Sequence, residues 1–171
     1  MISTIGIVGA GQMGNGIAHV CALAGLPVTL VDNRADALSK AVATMARNMD
    51  RQVARTVIGS EDRDAALARI ATSIEYAALA DVDFVVEAVT EKEDVKRAVY
   101  AQLMPALRAD CMVASNTSSI SITRLGAATD RPGKFIGMHF MNPVPVMKLV
   151  EVIRGIATDE PTFQDRKSTR L

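Results

Sequence analysis

The sequence has no tryptophan, few other aromatic residues and two cysteines in 171 residues. Cys21 and Cys111 lie in apolar segments, 90 positions apart and without CxxC spacing, so we expect two buried, reduced thiols. A chain of this length hides on the order of 70% of its unfolded surface when it folds, which is enough for a hydrophobic core. We therefore expect neither a disulfide framework nor a metal site.

The sequence also lacks a surplus of charge, because 19 Lys and Arg residues balance 19 Asp and Glu residues. Nucleic acids and anionic membranes attract proteins that gather basic residues on one face, so we expect neither as a partner. No apolar run reaches the roughly 18 residues that cross a bilayer. The segment Met1–Gly6 is already strand-like and leaves no room for a secretory signal. These absences predict a cytoplasmic protein.

Short apolar runs alternate with helical periods along the chain. Ile5–Val8 and Pro27–Val31 are apolar runs, and apolar side chains recur three and four positions apart between them, which favours a parallel strand pair with a helical crossover. Ala35–Thr56 follows as a helical arm after the second strand. Further strands are predicted at 70–74, 83–87, 112–115, 135–139 and 148–153, and helices at 62–68, 94–107 and 120–128. We expect a doubly wound, mainly parallel α/β sheet of six to eight strands.

Gly9–Gly14 has the pattern GxGxxG and stands between the first predicted strand and helix. Gly9 permits the tight turn, Gly11 lets a pyrophosphate approach the backbone, and Gly14 lets the helix pack on the strand. Asp32 ends the second strand, where a carboxylate accepts hydrogen bonds from ribose hydroxyls and repels a 2′-phosphate, which favours NAD over NADP. The alternative is that the glycines only shape a turn and Asp32 caps the next helix. With strand, helix and acid in place, we predict a Rossmann-type NAD-binding fold.

A second group of polar residues lies farther along the chain. Ser115–Ser119 follows one predicted strand, and His139 ends another, at the sheet edge that borders the ligand crevice in such folds. A histidine there can take a proton from a substrate hydroxyl near neutral pH, with Glu151 holding its ring. The alternative is a structural histidine and a surface glutamate. His19, on the first helix, is predicted to be structural.

Four segments together resemble the L-3-hydroxyacyl-CoA dehydrogenases, and among them the bacterial 3-hydroxybutyryl-CoA branch. They are Gly9–Gly14, Val86–Glu91, Ser115–Ser119 and His139–Glu151, and the last of them is the most specific. The resemblance runs from about residue 2 to about residue 164. It disfavours a 6-phosphogluconate-like dehydrogenase, because those enzymes use a lysine base in a different context.

The resemblance implies NAD-dependent oxidation of (S)-3-hydroxyacyl-CoA to 3-ketoacyl-CoA. It implies that His139 is the general base, that Glu151 orients it and that Ser118 hydrogen-bonds the reacting oxygen. The implied cofactor-binding residues are Gly9, Gly11, Gln12, Met13, Gly14, Asp32, Glu91, Lys96, Asn116, Ser118 and Asn142. The implied contacts to the CoA substrate are Ser118, Asn142, Asn48 and Arg55, of which Arg55 replaces an expected lysine.

Members of this family continue as a helical domain that closes over the acyl group, supplies an active-site asparagine and forms most of a homodimer. We expect that domain to be absent here, so that the chain alone is weakly active or inactive. The alternative function is therefore a dinucleotide-binding module without turnover. The acyl-chain preference and the pathway stay open, among fatty-acid oxidation, butanoate synthesis and aromatic degradation.

The end of the sequence departs from the family pattern. We predict an NAD-binding domain at 1–164 and a non-family tail at 165–171, which has four charged residues in seven and no apolar period. Our hypothesis is that this tail is a translated sequencing adapter joined to a truncated gene. Nucleotides unrelated to any adapter would refute it.

Overall fold

The computed structural model describes residues 2–168. In this range seven strands form one sheet. The strands are β1 Ile5–Val8, β2 Val28–Val31, β3 Ile70–Ser73, β4 Phe84–Glu87, β5 Met112–Ser115, β6 Phe135–Phe140 and β7 Val150–Arg154. The helices are α1 Gln12–Leu23, α2 Ala35–Ala54, α3 Ser60–Ala68, α4 Glu93–Leu103, α5 Ile122–Gly126 and α6 Glu160–Ser168.

The strand order of the sheet is β3-β2-β1-β4-β5-β6-β7. Pairs among the first six strands of that order are parallel, and β7 joins β6 antiparallel. The first six strands have the order of a doubly wound dinucleotide-binding sheet, in which ligands bind at the carboxyl ends of the strands where the winding reverses. The predicted Rossmann-type fold is confirmed, and its crevice lies between the ends of β1 and β4.

Apolar side chains cover both faces of the sheet. Ile7 and Val86 point into the core layer under α1, α2 and α3, whereas their neighbours Val8 and Val85 point into the layer under α4 and α5. Strands buried on both faces appear as continuous apolar runs, which is why the sequence pattern found them. The two core layers hold the carboxyl ends of the strands, which border the crevice, in fixed relative positions.

The helical arm after β2 consists of α2 and α3. The buried side chains of α2 follow a helical period of three and four and pack against α1: Leu38, Ala41, Met45 and Met49. The arm is therefore packed against α1. His19 of α1 lies in the interface between α1 and the arm. Its Nε2 lies 3.0 Å from Oε1 of Gln52, and burial lowers the pKa of this histidine.

Several element boundaries differ from the sequence prediction by a few residues. The helix predicted to end at residue 107 ends at Leu103, because Pro105 follows and the chain continues as a 3-10 turn. The helix predicted at 120–128 is shorter, at Ile122–Gly126. The domain boundary after residue 164 stays a prediction; it lies within the range of α6, and residues 169–171 of the predicted tail lie outside the described residues.

Both cysteines are buried thiols, as expected. No helix in the described part of the chain combines the length and the hydropathy that crossing a membrane requires.

Candidate active site and cofactor groove

The glycine turn between β1 and α1 is shaped by two close approaches. Gly9 has a φ of +103°, and a Cβ added to it would lie 2.8 Å from the carbonyl oxygen of Ala88. A Cβ on Gly14 would overlap the carbonyl oxygen of Gly9. A Cβ on Gly11 would meet nothing within 4 Å, so this residue leaves open space above the turn. The turn is a cradle with room for a group that approaches the backbone.

The N-terminus of α1 opens onto this cradle. Gly11 is its N-cap and makes no side-chain capping bond, so no capping side chain occupies the first N–H groups of the helix. Those groups and the helix dipole attract an anion.

Asp32 fastens the glycine turn to the end of β2. Its Oδ2 accepts a hydrogen bond from the Ala10 N–H at 2.8 Å, and its Oδ1 accepts one from the Arg34 N–H at 3.0 Å. The N-cap of α2 is Arg34, and no side chain caps that helix. Asp32 therefore links the turn to the start of the arm while its carboxylate faces the groove.

Two cavities adjoin along the groove. One, of about 310 Å³, is lined by Gly9, Gly11 and Asp32 among others. The second, of about 360 Å³, is lined by six of the predicted site residues, Met13, Glu91, Asn116, Ser118, His139 and Asn142. Ala88 and Val89 line both. The two cavities together accommodate an elongated ligand across the carboxyl ends of β1, β4 and β5.

His139 and Glu151 form a pair at the wall of the second cavity. They are direct partners in the antiparallel register of β6 and β7, and His139 Nδ1 lies 2.8 Å from Glu151 Oε2. A carboxylate accepts hydrogen bonds and donates none, so the shared proton belongs to Nδ1 and the other nitrogen, Nε2, is left with its lone pair.

Glu91 holds the loop that follows β5. Its Oε1 accepts hydrogen bonds from the Thr117 hydroxyl at 2.6 Å, the Ser118 N–H at 2.8 Å and the Ser119 N–H at 3.1 Å. The Ser118 hydroxyl lies 3.2 Å from the same oxygen. Partial burial raises the pKa of Glu91, but these bonds and the charge of Lys96 outweigh it and lower the pKa to about 2. Glu91 is therefore ionised at neutral pH.

Lys96, predicted as a cofactor-side residue, is buried behind this wall. Its side chain is 1% exposed and its Nζ lies 2.7 Å from Glu87 Oε1 and 3.5 Å from Glu91 Oε2. The sequence analysis gave no role to Glu87, nor to Tyr100 and Ser115, whose hydroxyls donate hydrogen bonds to Glu87. The sequence offered one indication that Glu87 is functional, because it is an acid at the end of the otherwise apolar strand Phe84–Glu87.

Gln12 joins the cofactor turn to the loop that carries Asn142. Its Nε2 donates to Asn142 Oδ1 at 3.1 Å, and a Cβ on Gly16 of the same helix would lie 2.7 Å from Val144 Cβ. Helix α1 and the loop after β6 are thus in close contact. Asn116 adds a second link, because its side-chain oxygen accepts a bond from the Phe140 N–H at 2.9 Å.

Asn48 and Arg55, predicted to contact CoA, lie on the arm. Asn48 is half-buried within α2, and Arg55 is exposed as its C-cap. Neither lines the two cavities, so the structure brings them to the arm and not to the His139 cavity.

Comparison with known proteins matches this geometry to one family. The family model described as "3-hydroxyacyl-CoA dehydrogenase, NAD binding domain" matches residues 4–169. A 3-hydroxybutyryl-CoA dehydrogenase of Bradyrhizobium diazoefficiens is 55% identical over 167 residues, which are 98% of this chain and 57% of that protein. A 3-hydroxyadipyl-CoA dehydrogenase of Escherichia coli is 40% identical, over 92% of this chain and 33% of the relative.

A solved structure shows the same fold. The (S)-3-hydroxybutyryl-CoA dehydrogenase of Ralstonia eutropha superposes with a TM-score of 0.96 at 48% identity, covering 98% of this chain and 59% of that one. The chain spans somewhat more than half the length of the Bradyrhizobium and Ralstonia proteins and one third of the Escherichia coli relative. The glycine cradle, the open helix N-terminus and the adjoining cavities fit the cofactor that the family model names. The chain belongs to the 3-hydroxyacyl-CoA dehydrogenase family, of which it is the NAD-binding domain.

Proposed function

We propose that this chain carries the cofactor site and the catalytic base of an enzyme that oxidises (S)-3-hydroxyacyl-CoA to 3-ketoacyl-CoA, with 3-hydroxybutyryl-CoA as substrate. The observation that supports it most is the His139–Glu151 pair on a cavity that Ser118 also lines. The relatives support the substrate class, since those at 55% and 40% identity are named for hydroxyacyl-CoA substrates.

The cofactor is proposed to lie along both cavities. Gly11 and the N-terminus of α1 would hold the pyrophosphate, with Gln12 and Met13 in the first turn of the helix. Asp32, on the first cavity, would accept hydrogen bonds from the adenosine ribose. The nicotinamide end would then lie in the second cavity, near Ser118.

Residues at the second cavity are proposed to have different roles in the reaction. Bound NAD supplies the acceptor for the hydride that leaves C3 of the substrate. Nε2 of His139 takes the proton of the substrate hydroxyl, and Glu151 stabilises the imidazolium that results. The Ser118 hydroxyl hydrogen-bonds the substrate oxygen. In the reverse direction the imidazolium returns the proton to the ketone oxygen.

The CoA moiety is proposed to lie along the arm. Arg55 is exposed at the end of α2, where its guanidinium can pair with a phosphate, and Asn48 lies two turns before it on the same helix. For the whole protein, a homodimer through a further helical domain stays a prediction.

A second candidate function is a cofactor-binding module without turnover. The Glu151 side chain is 52% exposed, and Ser118 is exposed as well. Water screens charges at an open site and weakens their effect on the reacting atoms. NAD binding survives in this case, whereas the reaction does not.

Oxidation of NADH by acetoacetyl-CoA in the presence of the chain tests the proposal. His139→Ala is expected to slow it by about 10²–10⁴-fold, the usual effect of losing a general acid or base. The control is His19→Gln, which removes the other histidine, buried between α1 and the arm. If His139→Ala left the turnover rate unchanged, the assignment of His139 as the general base would be refuted. NAD binding without turnover would favour the module.

A further inference from the structure

Glu87 is a buried carboxylate whose acceptor sites are all used. It is the last residue of β4 and is fully buried. Its Oε1 accepts bonds from the Val89 N–H at 2.8 Å and from Lys96 Nζ at 2.7 Å. Its Oε2 accepts bonds from the Tyr100 hydroxyl at 2.8 Å and the Ser115 hydroxyl at 2.7 Å. One side chain therefore joins the end of β4, the turn after it, helix α4 and the end of β5.

Core packing alone gives little reason for this arrangement. Taking a carboxylate and an ammonium out of water carries a desolvation penalty, and apolar side chains of similar volume often give equal or greater stability. Burial and the adjacent Glu87 raise the pKa of Tyr100, so its hydroxyl is a permanent donor. Polar groups that are buried and fully satisfied fix one geometry, because any shift leaves a partner unpaired.

The geometry that Glu87 fixes is that of the cofactor groove. Ala88 and Val89, the next two residues, form the wall that both cavities share. The backbone carbonyl of Glu87 accepts a bond from the Asn116 N–H at 2.8 Å, and Asn116 lines the second cavity. Glu87 itself lines neither cavity.

A second path runs through Lys96 to the serine loop. Lys96 Nζ lies 2.7 Å from Glu87, 3.4 Å from the Val89 carbonyl oxygen and 3.5 Å from Glu91 Oε2. Glu91 in turn accepts bonds from the N–H and the hydroxyl of Ser118. Two ion pairs thus connect the interior of the sheet to a residue of the proposed reaction site.

We propose that Glu87 is a positioning residue for the NAD site. Through Val89 it sets the wall between the two cavities, and through Lys96 and Glu91 it sets the loop that carries Ser118. Tyr100 and Ser115 hold the second oxygen of Glu87 and so keep the carboxylate in place. The inference rests on the proposed placement of the cofactor along both cavities.

Two conservative variants test it by calorimetric titration with NAD. Tyr100→Phe removes one hydroxyl, and Glu87→Gln keeps the shape but leaves one acceptor oxygen in place of two. Each is expected to weaken NAD affinity about three- to tenfold, the effect of losing one hydrogen bond. The titrations are made well below the unfolding temperature of each variant, so that all of the protein is folded.

Cys111→Ala is the matched control. Cys111 is buried at the opposite end of β5 from Ser115, so its truncation lowers stability without touching the Glu87 contacts. A merely structural role predicts that all three variants lose stability and that none loses NAD affinity. That result would overturn the proposal. Weakened NAD binding in Tyr100→Phe and Glu87→Gln, with the affinity of Cys111→Ala unchanged, supports it.

Backbone amide NMR spectra separate this inference from the proposed cofactor placement, because they need no ligand. Glu87→Gln is expected to shift the amide resonances of Ser118 and Ser119, and Cys111→Ala is expected to leave them unchanged. Unshifted Ser118 and Ser119 resonances in Glu87→Gln would overturn the positioning role. Failure of the wild-type chain to bind NAD would instead refute the cofactor placement, and the amide shifts would still decide the role of Glu87 in setting the loop.

Discussion

His139 Nδ1 lies 2.8 Å from Glu151 Oε2 because the two residues face each other across the antiparallel pair β6–β7. In a strand, neighbouring side chains point to opposite faces, so a register shift of one residue would take Glu151 away from the ring. The single antiparallel strand of the described sheet therefore places the Glu151 carboxylate beside the His139 ring. The His139 side chain is 21% exposed, which leaves its outer nitrogen within reach of a ligand.

Glu151→Gln should damage the proposed reaction without unfolding the protein. An amide in that place can donate to Nδ1, which favours the tautomer with its proton on Nε2 and removes the base. In a comparable histidine–carboxylate pair this change costs about 10⁴-fold, and at this more exposed pair we expect about 10- to 10³-fold. The measurement is a single-turnover oxidation of NADH by acetoacetyl-CoA, with the chain in excess. Glu61→Gln, at an exposed acid of α3, is the control, and an unchanged rate in Glu151→Gln would refute the pairing role.

Local patterns were sufficient to predict the parallel part of the fold. Strands such as β1 and β4 are buried on both faces, so they appear as apolar runs, and the glycine turn has its own spacing. The direction of β7 has no such local signal, because the alternation of a half-buried strand is the same in either direction. Its antiparallel pairing with β6 depends on the connection between them.

The interior of the site could not be predicted from the sequence for a related reason. Glu87 resembles any acid that ends a strand, and Lys96 resembles a solvated charge on a helix. They are buried together because Tyr100 and Ser115, 13 and 28 positions after Glu87, supply the remaining hydrogen bonds. Periodicity reports which face a residue occupies, and it does not report such contacts between elements.

Alanine substitutions at Gly11 and Gly14 should have separate effects, one on NAD binding and the other on stability. Gly14→Ala places a Cβ on the Gly9 carbonyl oxygen and is expected to cost about 1–3 kcal/mol of unfolding free energy. Gly11 has φ −70° and ψ −169°, which alanine adopts, and a Cβ there meets nothing within 4 Å. Gly11→Ala should therefore keep stability within about 1 kcal/mol and yet block the approach of the pyrophosphate.

Urea unfolding and calorimetric titration with NAD measure the two effects. Tight NAD binding by Gly11→Ala would show that the pyrophosphate does not cross this turn. Full stability of Gly14→Ala would show that the turn and α1 move apart easily.

Asp32→Asn should lower the affinity for NAD and reduce the preference for NAD over NADP. The change removes the charge that is proposed to bind the ribose and to repel a 2′-phosphate, while one oxygen remains to accept from Ala10 or Arg34. Hydrogen bonds to charged groups contribute about 1.5–3 kcal/mol, so NAD affinity should fall roughly 10- to 100-fold. Glu61→Gln, at an exposed acid of α3, is the control. An unchanged ratio of NAD to NADP affinity in Asp32→Asn would contradict this assignment.

Asp83 should make the stability of the domain depend on acid pH. Its Oδ2 accepts bonds from the N–H and hydroxyl groups of Ser3 and Thr4, and its Oδ1 accepts one from Arg108 at 2.6 Å, which fastens the start of the chain to β4. The Ser3 hydroxyl is the largest of the causes that lower the pKa of Asp83 far below its usual 3.8. The folded state therefore favours the ionised form. This stabilisation is complete well above pH 3.8 and is lost as the pH falls through the usual pKa toward the folded one.

Asp83→Asn should lower the unfolding free energy by about 1–3 kcal/mol at pH 7 and by much less near pH 2, where the wild-type carboxyl approaches its own protonation. The slope of stability against pH between about 5 and 2 becomes shallower, but it does not vanish, because the lowered pKa of Glu91 acts in the same direction. Urea unfolding at a series of pH values measures this. Asp81→Asn, at an exposed acid two residues earlier, should leave the slope unchanged. If the plots of unfolding free energy against pH were parallel for wild type and Asp83→Asn, the prediction would be wrong. The Ser3 and Thr4 contacts would then stabilise a neutral side chain as well as the charged one.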